Sequence, residues 1–288
     1  MHLRDWWHQQ RQQCPALAAE LDWLVRQVTG WDTLTLRTSE QPGQEFLPRL
    51  RSLWQQYLQT RVPLQYLVGT TPWRDMELQV AAGVLIPRPE TELLVEVAVQ
   101  WAQKWGLTTG PWVDLGVGSG AIALGLLREM PAIQVHGVDC SAIALQIAAT
   151  NAENLGLKAR LSLYQGDWFE PLAHLRGHLQ GMVSNPPYIP TDLLPTLAAE
   201  VQHEPRLALD GGEDGLLHLR RLVQAAPAYL CAGGLWCVET MSGQTAAVVN
   251  LLQAQGGYQD IQTYRDWGGH DRIVCARWGG ECSSIGQV

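Results

Sequence analysis

Hydrophobic positions along the chain change period once, and the change divides it. Leu17, Leu21, Leu24, Val25 and Val28 recur at the spacing of one helix face, and Gly30 follows as a stop. A second helix is predicted over 46–58, with Leu47, Leu50, Trp54 and Leu58 on one side. Pro63, Gly69 and Pro72 break this pattern. Residues 73–80 and 84–86 then read as a short extended pair around Ala82-Gly83, and Pro87-Arg88-Pro89 leads into a helix over 90–105. Residues 1–80 are expected to form a small helical domain, and 81–110 a hairpin-and-helix linker.

From Pro111 the rhythm alternates. Strands are predicted at 112–115, 133–138, 159–164, 181–184, 234–239, 259–264 and 272–276, with helices at 121–129, 141–155, 215–230 and 244–255. Such alternation implies a mainly parallel sheet covered by helices on both faces. The last two strands have no helix between them and should pair as an antiparallel hairpin. The expected fold is therefore α/β and Rossmann-like, with a mostly parallel seven-stranded sheet over 111–278 and a flexible tail at 279–288.

Composition narrows the class. A chain of 288 residues, 46% hydrophobic and 17% charged, has the profile of a soluble globular protein large enough for two domains. Its net charge of −8 argues against a dominant grip on nucleic-acid phosphates. The first 13 residues are too polar for a secretory signal. The apolar run 222–238 is interrupted by Pro227, Gly233 and Gly234, which argues against a membrane span and for a cytoplasmic protein. Six cysteines form no CxxC pair and are expected to be free thiols. His174 and His178 stand four residues apart without a third ligand nearby, so no metal site is expected. Thirteen tryptophans against two phenylalanines read as a packing preference.

Candidate chemistry gathers at the predicted strand ends. Asp114-Leu115-Gly116-Val117-Gly118-Ser119-Gly120 runs from the first strand into an apolar helix; glycines there admit close ligand approach, and the helix N-terminus favours negative charge. Asp139 closes the second strand, where a carboxylate suits ribose hydroxyls. Asp167-Trp168 follows the third and could flank a base by edge and face. The spacing GxGxG lacks the last glycine of a dinucleotide fingerprint, which favours a nucleoside cofactor without pyrophosphate. Asn185-Pro186-Pro187-Tyr188 ends the fourth strand and enters the same crevice. Its prolines stiffen the turn and donate nothing, so the Asn185 side-chain oxygen and the Pro186 carbonyl are free to accept a substrate NH2, with the Tyr188 ring alongside.

These segments, with Ile86-Pro87-Arg88-Pro89-Glu90-Thr91-Glu92, Glu204-Pro205, Leu209 to Gly212, Asp214 to Leu216 and Arg265 to Arg272, resemble the class I S-adenosylmethionine-dependent methyltransferases. Within that class the chain resembles the family that methylates the glutamine of the Gly-Gly-Gln motif in class-1 peptide chain release factors. The resemblance covers most of residues 60–278. It implies S-adenosylmethionine as cofactor, S-adenosylhomocysteine as product and a release factor as protein substrate, with no stable nucleic-acid or membrane partner. Residues 1–80 would then recognise substrate, and 111–278 would form the methyltransferase domain. By the same resemblance Gly116, Val117, Gly118, Ser119 and Gly120 hold the methionine end, Asp139 the ribose, and Asp167 with Trp168 the adenine. Asn185, Pro186, Pro187 and Tyr188 bind the substrate amide. Asn185, Pro186 and Tyr188 carry catalysis, and Asn185 also borders the cofactor. Val117 and Ser119 stand where the family often has threonine. The turn alone equally fits an adenine-N6 nucleic-acid methyltransferase, and a non-catalytic scaffold is the third reading. Arg88, Glu90 and Glu92 read either as a helix N-terminus or as part of the rim of the site.

Overall fold

A computed structural model describes residues 1–38 and 43–280. They divide into two compact units: Met1–Thr70 with Ala198–His203, and Thr71–Leu197 with the chain from Glu204 on. In the first unit, helices α1 (Leu3–Gln13), α2 (Ala18–Thr29), α3 (Thr33–Thr38), α4 (Leu47–Thr60) and α5 (Leu64–Val68) enclose Leu3, Trp6, Trp7, Leu21, Leu24, Leu50 and Trp54. Helices α2 and α4 are the two whose apolar spacing is regular. Gly30 ends α2 at φ 73°, a left-handed conformation that glycine adopts without a Cβ clash. Helix α1 buries only Leu3, Trp6 and Trp7 near its start, and its polar remainder hides the period. Trp7 Nε1 donates to Asp22 at 2.7 Å and Trp54 Nε1 to Gln10 at 3.0 Å, so these large buried rings keep their polar handle satisfied.

The hairpin lies earlier than the sequence predicts. Strands β1 (Thr70–Trp73) and β2 (Met76–Gln79) pair with each other, and Arg74 takes the left-handed turn position at φ 53°. Pro72 is tolerated because a two-stranded sheet is all edge. Residues 84–86 form no strand; a turn instead closes with Val84 N donating to Ala81 O at 3.1 Å. A 3-10 turn at Pro89–Thr91 then opens α6 (Glu92–Trp105).

The sheet follows the alternation. Its strands are β3 (Gly110–Leu115), β4 (Ile133–Asp139), β5 (Leu161–Gln165), β6 (Leu179–Ser184), β7 (Leu230–Glu239), β8 (Tyr258–Arg265) and β9 (Asp271–Trp278). Their spatial order is β5-β4-β3-β6-β7-β9-β8, parallel except where β9 joins β7 and β8. Helices α7 (Ala121–Glu129) and α8 (Ala142–Asn154) share one apolar layer with α6, while α9 (Leu217–Ala225) and α10 (Thr245–Gln255) build the other. Strand β3 serves both layers by alternation: Trp112 packs into the first and Val113 into the second. Pro227 ends the predicted helix 215–230 early, turning 226–228 into a 3-10 segment, and β7 begins at Leu230. The strand order reverses between β4-β3 and β3-β6, which opens a crevice at the carboxyl ends of these strands. Among the described residues no helix is long and apolar enough to cross a membrane.

One expectation about the cysteines is corrected. Cys237 on β7 and Cys275 on β9 are registered opposite each other, Cα atoms 4.2 Å apart, and are joined as a disulfide. Pairing across antiparallel strands placed them together, and 38 residues of separation gave no local signature of it. Cys14 and Cys140 keep free thiols. Cys282 and tail residues 281–288 lie outside the described residues.

Candidate active site

The glycine loop is held by the strand beside it. Gly116 N and Val117 N both donate to Val138 O, at 2.9 and 3.0 Å, which continues the β3–β4 pairing into the turn. Gly118, at φ 53°, donates to Asp139 Oδ2 at 2.9 Å, and Ser141 N donates to Asp139 Oδ1 at 2.9 Å. Asp139 therefore fastens the loop to the end of β4; Oδ2 retains a lone pair, while Oδ1 also faces the weak Cys140 thiol donor at 3.8 Å. Asn151 on α8 fixes the other side, donating to Ser119 O at 2.8 Å and to Gln79 O at 3.0 Å.

These elements wall a cavity of about 270 Å³. Of the predicted residues, Gly116, Val117, Gly118, Ser119, Asp139, Asp167, Trp168, Asn185 and Pro187 line it. Gly120, Pro186 and Tyr188 do not. A Cβ on Gly120 would meet Leu124 and Ala148 at 3.2–3.4 Å, so that glycine starts α7 and packs it against α8. Asp167 forms an ion pair with Arg221 at 2.7 Å, and the Trp168 ring lies 5.3 Å from that of His218. Neither partner belongs to a motif in the sequence. Arg88 also lines the cavity and pairs with the buried Glu204 at 2.6 Å, which places it at the rim. Glu92 accepts Arg74 N at 3.0 Å and is a structural tie.

Behind the cavity the Asn185 turn rests on a polar chain. Asn185 Nδ2 donates to Thr91 Oγ1 at 3.1 Å, Thr91 Oγ1 donates to Glu239 Oε2 at 2.6 Å, and the Tyr188 hydroxyl donates to Glu239 Oε1 at 3.0 Å. Burial pushes the Glu239 carboxyl up, opposed by its two hydroxyl donors and by Arg272; the Tyr188 hydroxyl is pushed up by burial and by Glu239. In the sequence the only sign of Glu239 is a carboxylate ending the apolar run Leu235-Trp236-Cys237-Val238.

The acidic glycine stretch clamps the same turn from outside. Gly211 N donates to Ile189 O at 2.8 Å, and Asp210 accepts from Thr191 Oγ1 at 2.6 Å and Arg206 Nη2 at 3.0 Å. A Cβ on Gly211 would approach Tyr188 Cα and C to 2.7 Å, against backbone that has no room to yield. Gly211→Ala is expected to cost about 1–3 kcal/mol of stability through overpacking. Urea denaturation measures it, and a change within about 0.5 kcal/mol would mean the clamp relaxes freely.

Asp114 sits beneath the loop, fully buried, with Oδ2 accepting Ala123 N at 3.0 Å and Oδ1 unpartnered. Burial pushes its carboxyl up to about 8; the Ala123 N–H opposes the shift and Asp139 adds to it. The folded chain thus holds a proton that the unfolded chain releases above the ordinary value of 3.8, so this group makes stability fall as pH rises from about 4 to about 8. Asp114→Asn should flatten that decline. Melting temperatures of both proteins at pH 5 and pH 8 test it, and an identical drop in both would exclude Asp114 as the source.

The profile of the methyltransferase small domain matches residues 90–202, a span that holds the glycine loop, Asp139, Asp167 and the Asn185 turn. Fold and cavity together thus define the class: this is a methyltransferase. A crystal structure of the hMettl16 catalytic domain in complex with MAT2A 3'UTR hairpin 6 has the same fold, at TM-score 0.57 and 12% identity over 83% of each chain. Closer sequences exist. The release factor glutamine methyltransferase of Synechocystis sp. is 48% identical, covering 90% of this chain and 89% of its own. That of Thermosynechococcus vestitus is 45% identical, covering 96% and 98%. The chain belongs to the release factor glutamine methyltransferase family.

Proposed function

We propose that the protein transfers a methyl group from S-adenosylmethionine to the side-chain amide nitrogen of the glutamine in the Gly-Gly-Gln motif of class-1 peptide chain release factors, in the cytoplasm. The observation that carries this reading is that Asn185 lines the same cavity as the glycine loop, Asp139, Asp167 and Trp168.

The donor set suits that cofactor. Each Asp139 oxygen accepts one backbone N–H, and the Cys140 thiol on Oδ1 is a weak donor that a ribose hydroxyl would displace, so the carboxylate suits the ribose hydroxyls. A Cβ on Gly116 would meet only the Trp168 ring, at 3.9 Å, so space lies open above the loop. Gly116, Val117, Gly118 and Ser119 would border the methionine end, and Asp167 with Trp168 the adenine. Gly120 would contribute by setting the start of α7. Bound there, S-adenosylmethionine supplies a methyl already activated by its sulfonium.

The task left to the chain is to hold a feeble nucleophile. An amide nitrogen has a delocalised lone pair, so orientation toward the methyl is the main source of rate. Asn185 Oδ1 and the Pro186 carbonyl accept the two hydrogens of the glutamine NH2, which raises electron density on nitrogen. Pro187 keeps the turn stiff and Tyr188 backs it. The nitrogen gains the methyl and releases one proton after attack, so no strong base is required beforehand. The helical unit at 1–80 would read the protein substrate.

The test uses the full chain with methyl-labelled S-adenosylmethionine and three acceptors: release factor, release factor with the motif glutamine replaced, and DNA. Label on the intact release factor alone is the expected result. Label on DNA, or on nothing, defeats the proposal.

A further inference from the structure

The side-chain amide of asparagine has two faces of nearly equal shape and opposite polarity. If Asn185 turned its Nδ2 toward the cavity, it would set donors against a substrate NH2, which is also a donor. Something must fix which end points outward. Pro186 and Pro187 stiffen the backbone but leave the last torsion of Asn185 free, and that torsion is broad and roughly two-fold.

Thr91 answers the need. It occupies the N-cap position of α6, where a threonine hydroxyl ordinarily accepts a backbone N–H of the first turn. Here it makes no such cap bond. Its single hydrogen goes instead to Glu239 Oε2 at 2.6 Å, which leaves its oxygen only the role of acceptor toward Asn185, at 3.1 Å. Glu239 is buried, with 1% of its surface exposed, and it accepts from both neighbours. Its other oxygen takes the Tyr188 hydroxyl at 3.0 Å. Polarity in this chain therefore runs one way, from Asn185 through Thr91 to Glu239. One buried carboxylate restrains both the first and the last residue of the turn.

We infer that Thr91 and Glu239 are positioning residues: their hydrogen-bond relay sets the polarity of the Asn185 amide, turning its oxygen to the substrate, and thereby selects an amide over a carboxylate at the acceptor position. The inference rests on the proposed role of Asn185. It also gives the segment Pro87 to Glu92 a purpose at the site, where Thr91 lines the cavity beside Asn185 and acts through it.

Three variants test it: Thr91→Val, which keeps the shape and removes the hydroxyl; Thr91→Ser, which restores the hydroxyl; and Thr91→Cys, whose thiol is a weak donor and acceptor. Each is assayed for kcat and for binding of two peptides, one bearing Gly-Gly-Gln and one bearing Gly-Gly-Glu, with cofactor affinity from calorimetry as the check of a folded site. Thr91→Val is expected to lower kcat at least about tenfold and to narrow the preference for glutamine over glutamate by about tenfold, the scale of one misdirected hydrogen bond. Cofactor affinity should stay within about threefold. Thr91→Ser should match the unsubstituted protein, with Thr91→Cys between. A general loosening of the fold would weaken both peptides alike and leave the preference unmoved, which overturns the inference. So does a Thr91→Ser variant that falls as far as Thr91→Val. If the unsubstituted protein neither methylates nor prefers the glutamine peptide, the reading of function itself has failed.

Discussion

Asn185→Ala is expected to lower kcat by about 10²–10³-fold, near 3 kcal/mol or more of transition-state stabilisation, the usual loss when one preorganised polar group is removed. Two effects combine in that figure. The substrate NH2 loses the acceptor that fixes its direction, and a nitrogen whose lone pair is delocalised tolerates little misalignment with the methyl it attacks. Cofactor affinity should change only a few-fold, because the loop, Asp139, Asp167 and Trp168 belong to other strand ends and none of the hydrogen bonds holding them involves Asn185. Truncation also frees the Thr91 oxygen from its donor, but Thr91 lines the cavity, from which water can reach it, so the fold should survive. Single-turnover kinetics with saturating cofactor, alongside calorimetry, separates the two quantities. Near-normal turnover would remove Asn185 from catalysis.

The parallel sheet was legible because its signal is local. Each strand is a short apolar run, each helix an apolar face, and the ladder only has to join them; predicted and observed ends agree within one or two residues at β4 and α7. Where local signal failed, a distant contact had decided the outcome. The hairpin formed at Thr70–Gln79, with Arg74 in the left-handed turn position; Gly83 also takes a positive φ, but in a turn that Val84 N closes on Ala81 O and that pairs no strands. Helices α3 and α5, six and five residues long, are too short to display a period. The site divides along the same line. Gly116 and Asn185 follow strands directly, Asp139 ends one, and all three could be placed by counting. Thr91, Glu239, Arg221 and His218 stand 94, 54, 36 and 33 positions from Asn185; only folding brings them to the site, and no spacing encodes that.

 Asn185 and Thr91, for instance, are joined across 94 residues by a bond that neither segment announces.

Asp114 and Asp139, both beside the loop, do opposite work, and the difference comes from what each can accept. Asp114 is sealed under α7 with one oxygen unpartnered, and it serves the fold. Asp139 faces the cavity with both oxygens engaged by backbone N–H groups. That engagement makes Asp139 rigid before any ligand arrives, so binding loses little side-chain entropy.

Asp139→Ala is therefore expected to weaken cofactor binding by at least about 10²-fold, since hydrogen bonds to a charged group contribute about 1.5–3 kcal/mol each and two ribose hydroxyls lose theirs together. A second cost accompanies it. Gly118 N and Ser141 N lose their acceptor, and the loop that faces the methionine end is no longer tied to β4. The two costs are separable: loosening of the loop alone should appear as a loss of stability of about 1–2 kcal/mol in the absence of cofactor, whereas loss of the ribose contact appears only in the binding curve. Asp139→Asn refines the comparison, because an amide keeps one acceptor but turns a donor toward either Gly118 or Ser141. It should bind cofactor nearly as poorly as the alanine variant. At cofactor concentrations high enough to saturate the variant, kcat should recover to within about tenfold, because the acceptor of the substrate amide is untouched. Calorimetry on the full chain gives the affinity. An unchanged dissociation constant would take Asp139 out of the ribose role, and a kcat that stays collapsed at saturation would mean that the loop, not the ribose, is what Asp139 chiefly holds.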